Sequence, residues 1–257
     1  MDPVKGLPVQ SARWFGATDR GLVREMNQDA LAAPGVEISE AQFWQGGGTW
    51  TLKEGPGLWA VADGLGGHEA GELASGYAVR LVRWEAEKNW AWRVSEFPEL
   101  ASASLLEIHQ KITELGRGQV LPMGSTLTGV WVSPQGAWLF HTGDTRLWRL
   151  NPEPRLLTED HNEAWGKPGN PRKNVLKSCL GGGMENPRID IVPLEMAPND
   201  VWLLVSDGLE DGLTQAAWVQ ITAQNHPDPE TLVSALVAES KRNSSDNLTA
   251  LAIQWFA

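Results

Sequence analysis

The chain has 257 residues, 42% hydrophobic and 21% charged, a length that one hydrophobic core can serve, so a single domain over 1–257 is expected. A formal net charge of −11 opposes a nucleic-acid or anionic-membrane surface, whose phosphates would be repelled. One cysteine, Cys179, excludes an internal disulfide framework or clustered-thiolate zinc, and five scattered histidines argue against a histidine-rich metal centre.

The start of the chain carries Pro3 and Pro8 and lacks the charged-then-apolar pattern of a secretory leader; with no apolar run long enough to span a bilayer, the chain is expected to be soluble and cytoplasmic. Residues 34–57, which include Gly46, Gly47 and Gly48, read as an irregular surface excursion. The apolar run 58–62 reads as a buried strand that empties into Asp63-Gly64. Ala70, Leu73, Ala74, Tyr77, Ala78 and Leu81 then recur at helical spacing. A second helix is expected over 99–115, with Leu105, Ile108 and Ile112 on one stripe and Gly116 and Gly118 as its stop.

Beyond Ser125 the pattern turns to strands. Runs 127–132 and 137–141 flank Ser133-Pro134-Gln135-Gly136, a hairpin signal, and a strand over 145–150 follows. Residues 160–183 are rich in Gly, Pro, Asn and Lys, and irregular segments of that length are usually functional. Strands are expected over 189–194, 201–206 and 248–256, with helices from 214 and from Pro229, the latter N-capped by Asp228. Strands and helices in separate runs indicate α+β rather than a wound parallel sheet. Fourteen Trp against five Phe and one Tyr is a skewed choice, read as packing in the core and at its rim.

The informative feature is the placement of acidic residues. Asp63 precedes Gly64 at the end of a buried run, Asp144 lies between two strands, Asp207 precedes Gly208 with Asp211 close behind, and Asp246-Asn247 introduces the last strand. Any one Asp-Gly is ordinarily a turn. Repeated placement at the ends of buried runs is more than turns require, and such carboxylates can converge at one sheet edge, where hard divalent cations take oxygen ligands.

Seven stretches carry a resemblance: residues 19–30 with Arg24 and Asp29, 61–68 with Val61-Ala62-Asp63-Gly64, Gly124-Ser125-Thr126, Gly143-Asp144-Thr145-Arg146, Leu157-Thr158-Glu159-Asp160-His161, Ser206-Asp207-Gly208-Leu209 and Ser245-Asp246-Asn247. In this order the chain closely resembles the PPM family, the metal-dependent protein phosphatases of type 2C, in its bacterial form. The resemblance implies a four-layer α-β-β-α sandwich of two mainly antiparallel sheets flanked by helices. It implies two Mn²⁺ or Mg²⁺ ions, with Asp63 bridging, the Gly64 carbonyl on one ion, Asp207 and Asp246 completing the first and Asp29 supporting the second. Asp144, Asp207 and Asp211 match the positions of a looser third ion, and Arg24 matches the residue that grips the substrate phosphate, which a guanidinium fork suits. Arg24, Asp29 and Asp63 are thereby the catalytic set, and a metal-activated water the attacking group.

The implied substrate is phosphoserine or phosphothreonine of a protein, with a cognate Ser/Thr kinase as opposing partner and the enzyme as a monomer. Leu65 stands where relatives carry Met or His; a His there is the proposed general acid, a role Leu65 cannot fill. His68 and His161 read as structural, and Cys179 as a buried apolar residue. Thr145 replaces the family's usual Ser, and Gln28 stands where Glu is also common. Residues 159–183 match the flap beside the catalytic cleft, where Arg172, Lys173 and Lys177 are candidates for contact with an acidic or phosphorylated segment. Two other readings use the same fold: a non-catalytic phosphoprotein-binding pseudophosphatase, which predicts lost ligands, and a phosphatase of small molecules, which the same metal site would serve.

Overall fold

A computed structural model describes residues 7–65, 69–88, 95–118, 122–167, 175–225 and 228–257. Elements are numbered in chain order. One sheet holds β1 (Ser11–Asp19), β4 (Phe43–Thr51), β9 (Arg146–Arg149), β10 (Arg155–Leu156), β13 (Val201–Val205) and β14 (Leu248–Phe256), in the order β10-β9-β13-β14-β1-β4. The other holds β2 (Asp29–Ala33), β3 (Val36–Ile38), β5 (Gly57–Leu65), β6 (Gly124–Ser125), β7 (Leu127–Ser133), β8 (Gly136–Thr142), β11 (Leu180–Gly181) and β12 (Asp190–Leu194). Every pairing among the described strands is antiparallel. The β7–β8 hairpin closes at Ser133 opposite Gly136, where the sequence places its turn.

Helices α1 (Glu69–Lys88) and α2 (Phe97–Leu115) cover the second sheet, while α3 (Asp207–Asp211), α4 (Gln215–Asn225) and α5 (Pro229–Ser240) lie on the first. Asp228 caps α5 by accepting from the Thr231 amide at 3.0 Å, with Pro229 at the first turn. Three apolar layers separate the four tiers. Ala74, Ala78, Ile108 and Ile112 pack on Ala60 and Ala62; Leu232, Val233 and Leu236 pack on Leu203 and Ala250; Trp14, Trp50, Trp59, Trp202 and Trp255 fill the space between the sheets. Trp59 meets Trp50 at 5.4 Å and Trp255 at 5.0 Å, and Trp202 meets Trp255 at 5.3 Å, all edge to face. This central layer accounts for much of the tryptophan excess, since two packed sheets about 10 Å apart are bridged by indoles that interlock at steep angles. Among the described residues no helix is long and apolar enough to cross a membrane.

Residues 34–57 depart from expectation. In place of an irregular excursion they form β3, the whole of β4 and a short 3-10 turn at Leu52–Glu54, with β4 in continuous register along β1 from Asp19–Phe43 to Ser11–Thr51. The triple glycine read as a loop signal has another cause. A Cβ at Gly46 would meet the Trp44 ring at 2.8 Å, at Gly47 the Trp14 carbonyl oxygen at 2.5 Å and the Phe15 ring at 2.8 Å, and at Gly48 the Trp14 ring at 3.2 Å. Aromatic rings, with the Trp14 carbonyl at Gly47, occupy the side-chain space of these strand residues, so glycine is retained inside a strand it would otherwise weaken. The strands β1 and β2 were not legible as strands either, because motif residues and a mid-strand Gly16 obscure their alternation.

Candidate active site

Asp29 opens β2 and Asp63 lies near the end of β5, and the antiparallel register sets them directly opposite each other. Opposed residues of such a pair share one face of a sheet. The Gly124-Ser125-Thr126 stretch clamps the Asp63 backbone: Thr126 Oγ1 accepts from the Asp63 amide at 2.8 Å, and the Thr126 amide donates to the Asp63 carbonyl at 2.9 Å. Gly64 donates its amide to the Gln28 carbonyl at 3.0 Å, and a Cβ there would lie 2.0 Å from the Gly71 carbonyl oxygen of α1. The first turns of α1 are thus packed on the strand that carries Asp63, and only glycine permits that approach.

The first sheet brings the remaining acids. Asp207 begins α3 immediately after β13, so the expected strand end is a strand-to-helix junction. Ser206 at that junction donates to Asp29 Oδ2 at 2.7 Å and accepts from the Thr249 amide at 3.0 Å, tying the two sheets at the site. Asp246 precedes β14, and its Oδ2 accepts from Arg24 Nη2 at 2.6 Å. Arg24 sits on the loop over 20–28, which Asn247 secures by three hydrogen bonds. Its Nδ2 donates to the carbonyls of Arg20 and Met26, both at 2.9 Å, and its Oδ1 accepts from the Gln28 amide at 2.9 Å. In the sequence the signal for this role of Asn247 is an amide directly beside a site carboxylate.

The electrostatics mark an excess of negative charge. Burial raises Asp63 well above the carboxylate range, and Asp29, Asp207, Asp144 and Asp246 raise it further. Asp29 is pushed up to about 7 by burial, then by Asp207 and Asp246, against hydrogen bonds from Thr249 and Ser206. Asp144 is pushed up to about 8 by burial, Asp207 and Asp160. The Arg24 guanidinium is raised by its bond to Asp246 and by the charges of Asp63 and Asp207. Asp63, Asp29, Asp144, Asp207, Asp246 and Arg24 therefore act on one another across one end of the sandwich.

Asp144, Asp207 and Asp211 all line a cleft of about 570 Å³ at this end, with Trp148 and Trp218 on its wall. Arg146 grips both oxygens of Asp160, at 2.9 and 2.7 Å, and also donates to Glu210. His161 accepts from the Gly143 amide at Nδ1 (3.3 Å) and reaches Asp190 through Nε2 (3.0 Å), so it buttresses the turn that presents Asp144. His141 lies between Thr128 and the Glu159 carbonyl, and burial and His161 lower it to about 4. Cys179 is buried, its thiol pushed up to about 11, which suits packing rather than attack. His68, Arg172 and Lys173 fall outside the described residues; Lys177 is exposed.

Among the described residues no three His, Cys, Asp or Glu side chains converge at ligating distance. The carboxylates are close enough to raise one another, yet Asp246 is turned to Arg24 and Asp29 to Ser206. The donor chemistry fits hard divalent cations, since the groups that press charge on one another here are carboxylates. Clustered buried acids with raised pKa values are a site short of positive charge.

The chain is similar in sequence and in fold to known proteins. Residues 25–238 match the model of the protein phosphatase 2C family. The chain is 27% identical over 255 residues to the serine/threonine phosphatase stp of Listeria innocua, covering 92% of this chain and 93% of that protein. It superposes on PppA of Pseudomonas aeruginosa, a regulatory component of the T6SS, with a TM-score of 0.77 and 27% identity over 96% of this chain and 99% of that one. The catalytic domain of the phosphatase PstP, solved with two manganese ions, shares the fold at a TM-score of 0.71 and 23% identity, over 96% of this chain and 100% of that one. With the family model spanning most of its length and the two-sheet sandwich in place, the chain belongs to the protein phosphatase 2C family.

Proposed function

We propose that this chain is a metal-dependent serine/threonine protein phosphatase whose site comprises Arg24, Asp29, Asp63, Gly64, Asp207 and Asp246. The observation that carries the reading is the opposition of Asp29 and Asp63 with Asp144, Asp207 and Asp246 pressing charge on the same point. Mn²⁺ or Mg²⁺, when bound, supplies an activated water and neutralises charge on the transferring phosphoryl group. Asp63, Asp207 and Asp246 would hold the first ion, Asp63 and Asp29 the second, with the Gly64 carbonyl on one of the two, and Asp144, Asp207 and Asp211 a third.

The chain's own groups do the rest. Arg24, held beside Asp63 and Asp207, offers a planar fork of donors to phosphate oxygens. Asn247 keeps its loop in place, Ser206 and Thr249 orient Asp29, and Ser125 and Thr126 fix the Asp63 backbone. Leu65 offers no proton, so the leaving alcohol is protonated from solvent or another group. A cytoplasmic signalling role against a Ser/Thr kinase is part of the proposal and rests on the family resemblance of the sequence.

The test is hydrolysis of p-nitrophenyl phosphate and of a phosphothreonine peptide with Mn²⁺, with Mg²⁺ and with chelator. Chelation should abolish turnover, and Asp207→Ala or Asp63→Asn should lower it by about a hundredfold or more. No turnover from folded, metal-loaded protein would return the case to the binding-module reading.

A further inference from the structure

Besides Asn247, a second set of contacts holds the loop that carries Arg24, at the point where it leaves β1. Asp19 ends that strand with its side chain only 5% exposed. Its Oδ1 accepts from the Gly21 amide at 2.8 Å, and its Oδ2 accepts from Lys241 Nζ at 2.6 Å, although Lys241 lies 222 positions away in the chain. Gly21 has no room to move. Its φ of +79° is left-handed, and a Cβ there would lie 2.3 Å from the Asp246 carbonyl oxygen. The turn from Asp19 to Gly21 is thus pressed on the backbone of the residue whose carboxylate accepts from Arg24.

Lys241 reaches Asp19 from a fixed base. It directly follows α5, which packs on β1 and β14. Ser240, fully buried, donates from Oγ to the Leu209 carbonyl of α3 at 2.7 Å, and a Cβ at Gly212 would fall 2.3 Å from that hydroxyl. The end of α5 is therefore locked between the Arg24 loop and α3, which begins with Asp207.

Ion pairs such as Arg188 with Glu159 join half-exposed side chains, where pairing contributes little. Asp19 differs, because a carboxylate withdrawn from water and deprived of its cation is strongly disfavoured where it lies. Without Lys241 it would turn outward and release the Gly21 amide. A lysine here also offsets the partial negative charge of the helix C-terminus, but an effect of that kind would not depend on Asp19.

We propose that Lys241 is a positioning residue for phosphate binding. Through Asp19 and the Gly21 amide it fixes where the chain leaves β1, and with it the reach of Arg24. The proposal rests on Arg24 as the group that grips phosphate.

The test measures competitive inhibition by inorganic phosphate and KM for p-nitrophenyl phosphate on the full chain with Mn²⁺. Lys241→Met should raise both constants by about fivefold while kcat changes by less than about twofold, and Lys241→Arg should restore them. Mn²⁺ affinity by calorimetry should stay at the wild-type value. Asp19→Asn should raise the phosphate constant too, and combining it with Lys241→Met should add nothing further, since both act through one contact. If Lys241→Met fails to fold, Lys241→Ala takes its place. Arg24→Ala checks the premise: an unaltered phosphate constant there would remove Arg24 from phosphate binding, and the proposal with it. With Arg24 confirmed, three results would each overturn the role of Lys241 alone. They are an unaltered phosphate constant in Lys241→Met, no rescue by Lys241→Arg, and losses that add with those of Asp19→Asn.

Discussion

Asn247 shows how one amide governs a reactive group it never touches. Its three hydrogen bonds hold the backbone on both sides of Arg24, and each contributes about 1 kcal/mol net, more where a buried partner is left unpaired. Asn247→Ala should therefore destabilise the fold by about 2–3 kcal/mol in urea denaturation and raise KM for phosphate esters more than it lowers kcat. An unchanged KM in the folded variant would remove Asn247 from the positioning of Arg24. Asp63 and Asp207 stand out in the sequence because each precedes glycine at the end of an apolar run, whereas the roles proposed for Asp29 and Asp246 rest on the family resemblance of their motifs. Asn247 and Ser206 stood in the same motifs, yet their work depends on chain segments some two hundred residues apart and is visible only when both sheets are assembled.

At the scale of elements, close approach and filling decide what is tolerated. Gly64 sits where β5 meets α1, and a methyl group there would fall 2.0 Å from backbone that cannot rotate away. Gly64→Ala should cost about 1–3 kcal/mol and shift α1 off the strand that carries Asp63, read as a lowered urea midpoint together with weakened metal binding. Between the sheets, Trp14, Trp59, Trp202 and Trp255 bury indole N–H groups that find no hydrogen-bond acceptor among the described residues. Shape, rather than the indole donor, is what these positions use. Trp202→Ala should then lose about 3–5 kcal/mol, whereas Trp202→Phe, which also removes an unsatisfied donor, should lose much less. Comparable losses for the two would show that the indole donor is engaged. The sequence disclosed the strands over 58–62, 127–132 and 201–206 by their apolar runs, but hid β4, where glycine serves the rings of neighbouring residues rather than a turn.

For the molecule as a whole, the crowded acids couple stability, protons and metal. In the metal-free fold Asp29 and Asp144 hold protons up to about 7 and 8, against 3.8 as the ordinary value. Between those limits the folded chain binds more protons than the unfolded one, so its stability falls as pH rises. His141, lowered to about 4, acts in the opposite sense, losing stability as pH falls below 6.5, and is silent above that. From about pH 6.5 to 8 the chelated protein should thus become less stable in urea, while added Mn²⁺ or Mg²⁺, replacing those protons, should stabilise it increasingly. A metal-induced gain that does not widen over this interval would mean that the acids are not its ligands. The sequence by itself determined the α+β class, the ordered motifs and the residue types of the site, because periodicity and short-range spacing are local properties of a chain; the four-layer sandwich followed from the family resemblance that those motifs carry. Tertiary structure alone decided the opposition of Asp29 and Asp63, the clamp on the Arg24 loop and the open edge at β4, because each depends on which strand lies beside which, and register is fixed only when the buried faces of both sheets meet.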